Sequence, residues 1–419
     1  MKSLAHVITK GTTPTKAQGY IDNGINFIRA LSIDKNGQLV EGTFLKISNE
    51  TNASLKRSVV QEGDVLFTIA GVIGRVTVVE KKHLPANLNQ ALAIIRPKKD
   101  KISSRYLANL LRSHDAQFYL KSRVVESVQA NLSLAELGSF PVEKISLEVQ
   151  NIRNNTLEII ENKSICDSKL SDISRTLISS LFRSWFIDFD PVKAKAEGKL
   201  SYGIDEVTAA LFPDTFEDSE FGPIPTGWRV GTINEFGKIV TGRTPSSKNP
   251  EHFDGPVPFI TIPDLARNIW QEETERTISQ EGATSLKSAL IPPGSVCVSC
   301  IATVGNVGIT TRPSITNQQI HSIVCNKGYS SQFVYSLITS FVPNLKFFAG
   351  GGAVVQNISK STFGKQRVII PPIQVVEQFT KLVEPLYQSI KAKNSASRSI
   401  LEARDALLPR LMSGELKVN

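Results

Sequence analysis

Two stretches of the chain place apolar or tolerated residues in alternating steps of three and four. In the first the positions are Val149, Ile152, Thr156, Ile159, Lys163, Cys166, Leu170, Ile173 and Leu177. In the second they are Phe379, Leu382, Leu386, Ser389, Lys393, Ala396, Ile400, Ala403 and Leu407. Such spacing is the heptad seam of a coiled coil, which holds one stripe against a partner helix. Each seam spans about 43 Å at 1.5 Å per residue. Neither helix would persist alone with so polar a surface. Their equal length predicts that they pair with each other, antiparallel, so that whatever precedes each helix lies at opposite ends. Pro385 and Pro409 predict a kink in the second helix.

Ahead of each helix the pattern is mixed. "DVLFTIA" and "SVCVSCI" are short, rich in β-branched residues and bounded by glycine, as strands are. "SSRYLANLLRSHDAQFYLKS" carries apolar residues at helical spacing, with Ser104 placed as the N-cap. "NLSLAELGSFPV" predicts a short helix ending at Gly138, then a Pro-bounded strand. The expected fold class is α+β: two globular α/β domains in tandem, each followed by a long helix, the two helices pairing as an antiparallel coiled coil.

The pattern occurs twice because the sequence does. "ITKGTTPTKA" (Ile8–Ala17) returns as "IVTGRTPSSK" (Ile239–Lys248), and "NFIRA" (Asn26–Ala30) as "PFITI" (Pro258–Ile262). "SLKRSVVQEGDVLFTIAGVIGRV" (Ser54–Val76) returns as "SLKSALIPPGSVCVSCIATVGNV" (Ser285–Val307). Asn89-Gln90 falls on Asn317-Gln318, and "QANLSLAELG" (Gln129–Gly138) on "VQNISKSTFG" (Val355–Gly364). The offset drifts by a few residues along the match, as changes in loop length make it do. The copies differ wherever they are polar, which fits two modules doing one job on different targets. The expected boundaries are 1–147 for the first module, 148–186 for the first helix and 187–228 for a connector. The second module then takes 229–374, and the second helix and tail 375–419.

The formal charge of +9 leans towards a polyanionic partner such as nucleic acid. No apolar run approaches the ~20 residues of a membrane helix, and "MKSLAHVITKG" has no signal-peptide core. A cytoplasmic location is expected. The cysteines Cys166, Cys297, Cys300 and Cys325 are too scattered for a disulfide scaffold. Cys297 and Cys300 lie in a predicted strand, where positions three apart point to opposite faces and cannot easily share a metal ion.

The loops hold the side chains of interest. In the first module they are Lys10, Thr12, Thr13, Arg29, Arg75, Asn89 and Gln90. In the second they are Arg243, Thr244, Thr261, Asn306, Asn317 and Gln318. These types suit double-stranded DNA. Arg reads guanine edges bidentately, and Asn or Gln reads adenine. Lys, Thr and backbone N–H groups hold phosphates. Thr-Pro and Asn-Gln also build turns, and that reading stays open for each residue singly.

Catalytic signatures are missing. There is no methyltransferase N/D-P-P-Y/F motif and no G-x-G-x-x-G; "GTINEFGK" (Gly231–Lys238) fails the spacing of a phosphate-binding loop. "GELK" (Gly414–Lys417) holds an E-x-K that a nuclease could use with Asp214, a pattern common by chance. The five histidines show no ligand spacing, and no nucleophile–base pair suggests itself. The chain reads as non-catalytic, with no metal and no cofactor of its own.

Four segments resemble the specificity subunit of Type I restriction–modification enzymes. They are "TGRTPSS…PFITIPDL", "FRSWFIDFDPV" (Phe182–Val192), "GPIPTGWRVGTI" (Gly222–Ile233) and "ARDALLPRLMSGEL" (Ala403–Leu416). The resemblance covers essentially the whole chain. It implies two target recognition domains joined by two conserved helices that set the gap of a bipartite site. It implies two modification subunits that carry S-adenosylmethionine and methylate adenine, with two restriction subunits, ATP- and Mg-dependent, as optional members. The first module begins at about Ala5 without the "GPIPTGW" that precedes the second, and "SGELKVN" at the far end is expected to supply packing there. The connector is rich in acidic residues, Asp205, Glu206, Asp214, Glu217, Asp218 and Glu220 among them. With the helices, it is expected to dock the modification subunits. The competing readings are a coiled-coil adaptor whose heads bind protein, an orphan DNA-binding protein, and a fused enzyme.

Overall fold

Runs of β-branched and aromatic residues bounded by turns pair into sheets because the pleated backbone accommodates their branched side chains. The computed structural model describes residues 1–34, 36–124, 130–201, 203–350, 357–413 and 415. The chain divides into two units, Met1–Cys166 with Ala396–Asn419, and Asp167–Ser395. Gln129 and Val355 of the repeat lie outside the described residues, as do Gly414, Leu416 and Lys417 of the "GELK" motif and most of the tail.

In the first unit β1 (Ala5–Lys10), β2 (Ile25–Ile28), β3 (Leu45–Ile47), β4 (Val65–Thr68), β5 (Val76–Val78), β6 (Ala86–Leu88) and β7 (Leu92–Pro97) form two sheets. Their orders are β1-β7-β4-β5 and β3-β2-β6, the β2–β6 pair being parallel. Side chains alternate across β4. Leu66 faces a core with Ile28, Leu88 and Ile94. Val65 and Phe67 face another with Tyr106, Leu107 and Leu111. A short α1 (Asn49–Ser54) is capped by Ser48. The predicted helix at 103–122 is two, α2 (Ser104–Arg112) and α3 (His114–Lys121), because Ser113 turns extended and its hydroxyl caps α3. The cap of α2 is Ser103; Ser104 instead donates to the Gly63 carbonyl at 2.6 Å. Next come α4 (Leu134–Ser139) and α5 (Leu147–Phe186).

The second unit takes the connector into its core. Within it, α6 (Asp190–Ala196), α7 (Glu206–Ala210) and the pair β8 (Phe216–Glu217) and β9 (Ile224–Pro225) bring Val192, Ile204, Phe212 and Ile224 against Trp185 and Trp228. The module proper has β10 (Arg229–Thr232), β11 (Gly237–Thr241), β12 (Phe253–Ile260), α8 (Ile262–Leu265), β13 (Trp270–Gln271), β14 (Arg276–Ile278), α9 (Gln280–Ser285) and β15 (Leu290–Ile291). It continues with β16 (Val296–Ser299), β17 (Val307–Thr310), β18 (Ser314–Thr316), β19 (Ile320–Cys325), α10 (Ser331–Gly350), α11 (Lys360–Gly364) and β20 (Arg367–Ile370). The sheets β11-β19-β16-β17-β13 and β14-β12-β18-β15 repeat the orders of the first unit and add β13 and β15 at their edges, so the sequence repeat is a structural one. The Pro-bounded strand is present only here, as β20 paired with β10. Residues 141–146 form no strand, since no described strand of the first unit takes the place of β10 and an unpaired strand leaves its polar backbone unmet.

Cys297 joins the core on one side of β16 and Cys300 that on the other, and burial pushes both thiols up to about 12. Among the described residues no cluster of His, Cys, Asp or Glu could hold a metal ion, and no helix is long and apolar enough to cross a membrane.

The closing helix, α12 (Ile373–Ser413), runs antiparallel to α5 in each unit. In the second unit Phe182 and Trp185 meet Phe379, while Ser171 donates to Asn394 at 3.3 Å. In the first unit the Ser164 and Ser397 hydroxyls lie 2.7 Å apart, and Leu157 shares a core with Leu407 and Leu411. Leu407 and Leu411, late in α12, thus pack on the first module. The predicted seam is displaced by one residue. Ile159, Ile173 and Leu177 are 71%, 57% and 53% exposed, whereas Leu157, Ser164, Ser171, Ile178 and Trp185 are buried. These buried positions recur every seven residues back from Trp185. The aromatic cluster at that end has the most apolar area to bury, so it sets the register, and hydroxyls fill the same stripe further on. Lys393 does belong to the interface, with its ammonium 3.0 Å from Asp167. α12 runs unbroken through Pro385 and Pro409. Pro385 is exposed, where water can take the carbonyl it leaves unpaired.

Candidate nucleic-acid interface

Each unit brings three loops together through the same main-chain bonds. In the first, the amide of Asn89 donates to Ile28 at 3.1 Å, and that of Gly11 to Leu92 at 2.9 Å. In the second, Asn317 donates to Ile260 at 3.0 Å and Gly242 to Ile320 at 3.0 Å. The loops touch so closely at Gly11 and Gly242 that a Cβ on either would fall inside 3.0 Å of the Asn89 or Asn317 carbonyl oxygen. Glycine is required at both places by this approach.

The cluster gathers eleven of the thirteen expected residues, with Lys10 at the end of β1 and Thr12 and Thr13 on the first loop of the first unit, Arg29 on the second, and Asn89 and Gln90 on the third. Its counterparts are Arg243 and Thr244, then Thr261 and Asn317, with Gln318 accepting from the Thr244 hydroxyl. Lys10, Thr13, Gln90, Arg243, Thr244 and Gln318 are exposed.

The other two positions, Arg75 and Asn306, lie outside this cluster. The Arg75 guanidinium donates to the Ile33 carbonyl and pins the turn that follows. The amide of Asn306 donates to the Ser299 hydroxyl at 2.9 Å, within the hairpin from β16 to β17. The sequence reading missed Arg57, whose guanidinium reaches the Thr12 hydroxyl at 3.3 Å. It also missed Asp264, which is buried and accepts from both the amide and the hydroxyl of Thr261 at 2.8 and 2.6 Å. The "SLKR" that opens the longest repeated segment was the available signal for Arg57. Asp264, three residues after Thr261, has the spacing of a capping residue.

Beneath the second cluster His321 lies buried, its Nδ1 3.1 Å from the Thr241 hydroxyl and its Nε2 3.0 Å from the Ile358 carbonyl. Burial lowers its pKa from the ordinary 6.5, and Lys360 adds to the shift.

Residues 1–170 and 225–400 match the family described as the Type I restriction modification DNA specificity domain. The chain is 29% identical to the Type I restriction enzyme HindI specificity subunit of Haemophilus influenzae, over 91% of this chain and 93% of that one. It is 25% identical to the MjaIX specificity subunit of Methanocaldococcus jannaschii, over 100% of this chain and 93% of that one. The fold resembles the crystal structure of a Type-I restriction-modification system S subunit from M. genitalium, with a TM-score of 0.58 at 13% identity, over 98% of this chain and 94% of that one. With the family matching both copies of the repeat, this chain belongs to the Type I restriction modification DNA specificity domain family.

Proposed function

We propose that this chain is the non-catalytic specificity subunit of a Type I restriction–modification complex. Each module reads one half of a bipartite DNA site, and the paired helices set the gap. The observation that carries this reading is the same three-loop polar cluster built twice on one framework, with different side chains in each copy. Lys10, Arg57, Arg243 and Lys248 add positive charge near the loops, as phosphate contacts require. We assign adenine methylation, with its S-adenosylmethionine, to two modification subunits. ATP and Mg chemistry is assigned to two restriction subunits where these are present. No cofactor is assigned to this chain.

The docking surface for the modification subunits is best sought on α5. There Leu170, Ile173 and Leu177 stand exposed although each is strongly apolar. The acidic connector supports this less well. Asp205 caps α7, Glu220 pairs with Arg367, and Ile204 and Phe212 belong to the core. Deleting residues 194–220 would therefore damage the fold rather than test docking.

The test is a genome-wide map of methylated adenines with and without the gene. Loss of a two-part motif with a fixed gap supports the reading, and an unchanged map in a strain that expresses modification subunits refutes it. A protein-binding adaptor is separated from a DNA reader by salt, since six to ten phosphate contacts would cost about 10³–10⁵ in affinity between 50 and 200 mM.

A further inference from the structure

Residues that do the same work in both copies cannot tell two half-sites apart. Gly11 and Gly242 hold the same close approach, and Asn89 and Asn317 make the same main-chain bond. Discrimination has to come from cluster positions where the copies differ. Two stand out, Thr12 against Arg243 and Arg29 against Thr261. At each position one copy has threonine and the other arginine, and the arginine changes loops between copies.

Both threonines hydrogen-bond to their own module, Thr12 accepting from Arg57 at 3.3 Å and Thr261 donating to the buried Asp264 at 2.6 Å. Each arginine keeps donors unused. The recorded bond of the Arg29 guanidinium is a long one, 3.4 Å from Nη2 to the Thr43 carbonyl, and its Nε is shielded from water with no acceptor. Beside it, past the parallel Ile28–Leu88 pair, the Asn89 Oδ1 is also buried without a donor. Arg243 is exposed, and among the described residues no hydrogen bond or ion pair is recorded for it. Two other arginines of the first module are held tightly instead. Arg96 grips Asp64 with two bonds of 2.8 Å, and Arg112 binds the Val76 carbonyl at 3.0 Å.

We propose that Arg29 in the first module and Arg243 in the second are the guanine-reading residues, one per half-site, presented from different loops of the same cluster. An arginine head with spare donors matches the O6 and N7 acceptors of guanine in the major groove. Because the arginine stands on a different loop in each module, the guanine it reads occupies a different place in each half-site. This inference rests on the DNA-specificity reading above.

The experiment uses the chain co-expressed with its modification subunits, as wild type, Arg29→Ala, Arg243→Ala and the two Arg→Lys variants. Adenine methylation is mapped across the host genome. Binding is then measured on duplexes with 7-deazaguanine at each guanine of the motif. Arg29→Ala should relax one guanine in one half-site and Arg243→Ala one in the other, each weakening discrimination there by about 5- to 150-fold. Wild type should lose affinity on 7-deazaguanine at that position, and the matching Ala variant should not. The Lys variants should keep overall occupancy with weaker discrimination. An unchanged motif with methylation lowered equally at all sites would mean phosphate contacts and overturn the inference alone. A wild-type complex that leaves no two-part motif would overturn the specificity reading, and this inference with it.

Discussion

Replacing Gly242 with alanine tests whether the loop cluster is a rigid part of the second unit. The added Cβ would sit inside 3.0 Å of the Asn317 and Thr316 carbonyl oxygens, both of them backbone atoms that cannot swing away. One loop has to retreat by about 1 Å to restore ordinary contact. That retreat strains two bonds of 3.0 Å, Gly242 to Ile320 and Asn317 to Ile260. Each is worth about 1 kcal/mol net, and overpacking adds about 1–3 kcal/mol, so the expected loss is about 3–5 kcal/mol. The three tryptophans, Trp185, Trp228 and Trp270, all lie in the second unit, so tryptophan emission in urea reports on that unit alone. With a slope near 3 kcal/mol/M, the midpoint should fall by about 1 M or more. Gly11→Ala makes the same clash in the first unit and should leave this transition in place. A Gly242→Ala midpoint within about 0.3 M of wild type would refute the argument for a close-packed cluster.

Other perturbations probe the helices and the buried histidine. His321 is held below its ordinary pKa of 6.5, so the unfolded chain takes the proton first. Stability of the second unit should be full above 6.5 and fall as pH drops through the lowered folded value. His321→Gln should flatten that slope, and an identical pH profile for both proteins would rule the linkage out. Lys393→Ala takes an ammonium group from a carboxylate, that of Asp167, that is only 2% exposed. The expected loss is about 1–3 kcal/mol, below that of a fully buried pair because Lys393 is part-exposed, whereas replacing both residues with leucine should be neutral or stabilising. Urea midpoints of the single and double variants decide, and a double variant weaker than the single would count against it. Leu170, Ile173 and Leu177 changed together to glutamate should leave the tryptophan-detected midpoint unchanged and abolish co-purification with modification subunits. Full retention of the partner would remove α5 as the docking face.

Much of the architecture was readable in the chain. The duplication is visible from "TGRTPSS" and "GTTPTKA" alone, and it survives as matching sheet orders in the two units. The loop residues of the cluster were also readable, because Gly, Thr-Pro and Asn-Gln mark turns wherever they stand. Arg75 was not separable from Arg29 by sequence. Both are loop arginines, but the first is tied to Ile33 and the second keeps unused donors.

The sequence by itself determined the repeat, the two long helices and the polar loops, since periodicity and turn chemistry are local. Which stripe of α5 turns inward was decided only by the tertiary structure. Two seams one residue apart fit the same three-four spacing, and the more apolar one lost. The aromatic cluster of Phe182, Trp185 and Phe379 gains more by burial than Ile159 or Leu177 could, and the rest of the helix follows its register. The same holds at the cluster, where long-range hydrogen bonds between loops far apart in sequence settle which side chains are already engaged and which keep unused donors.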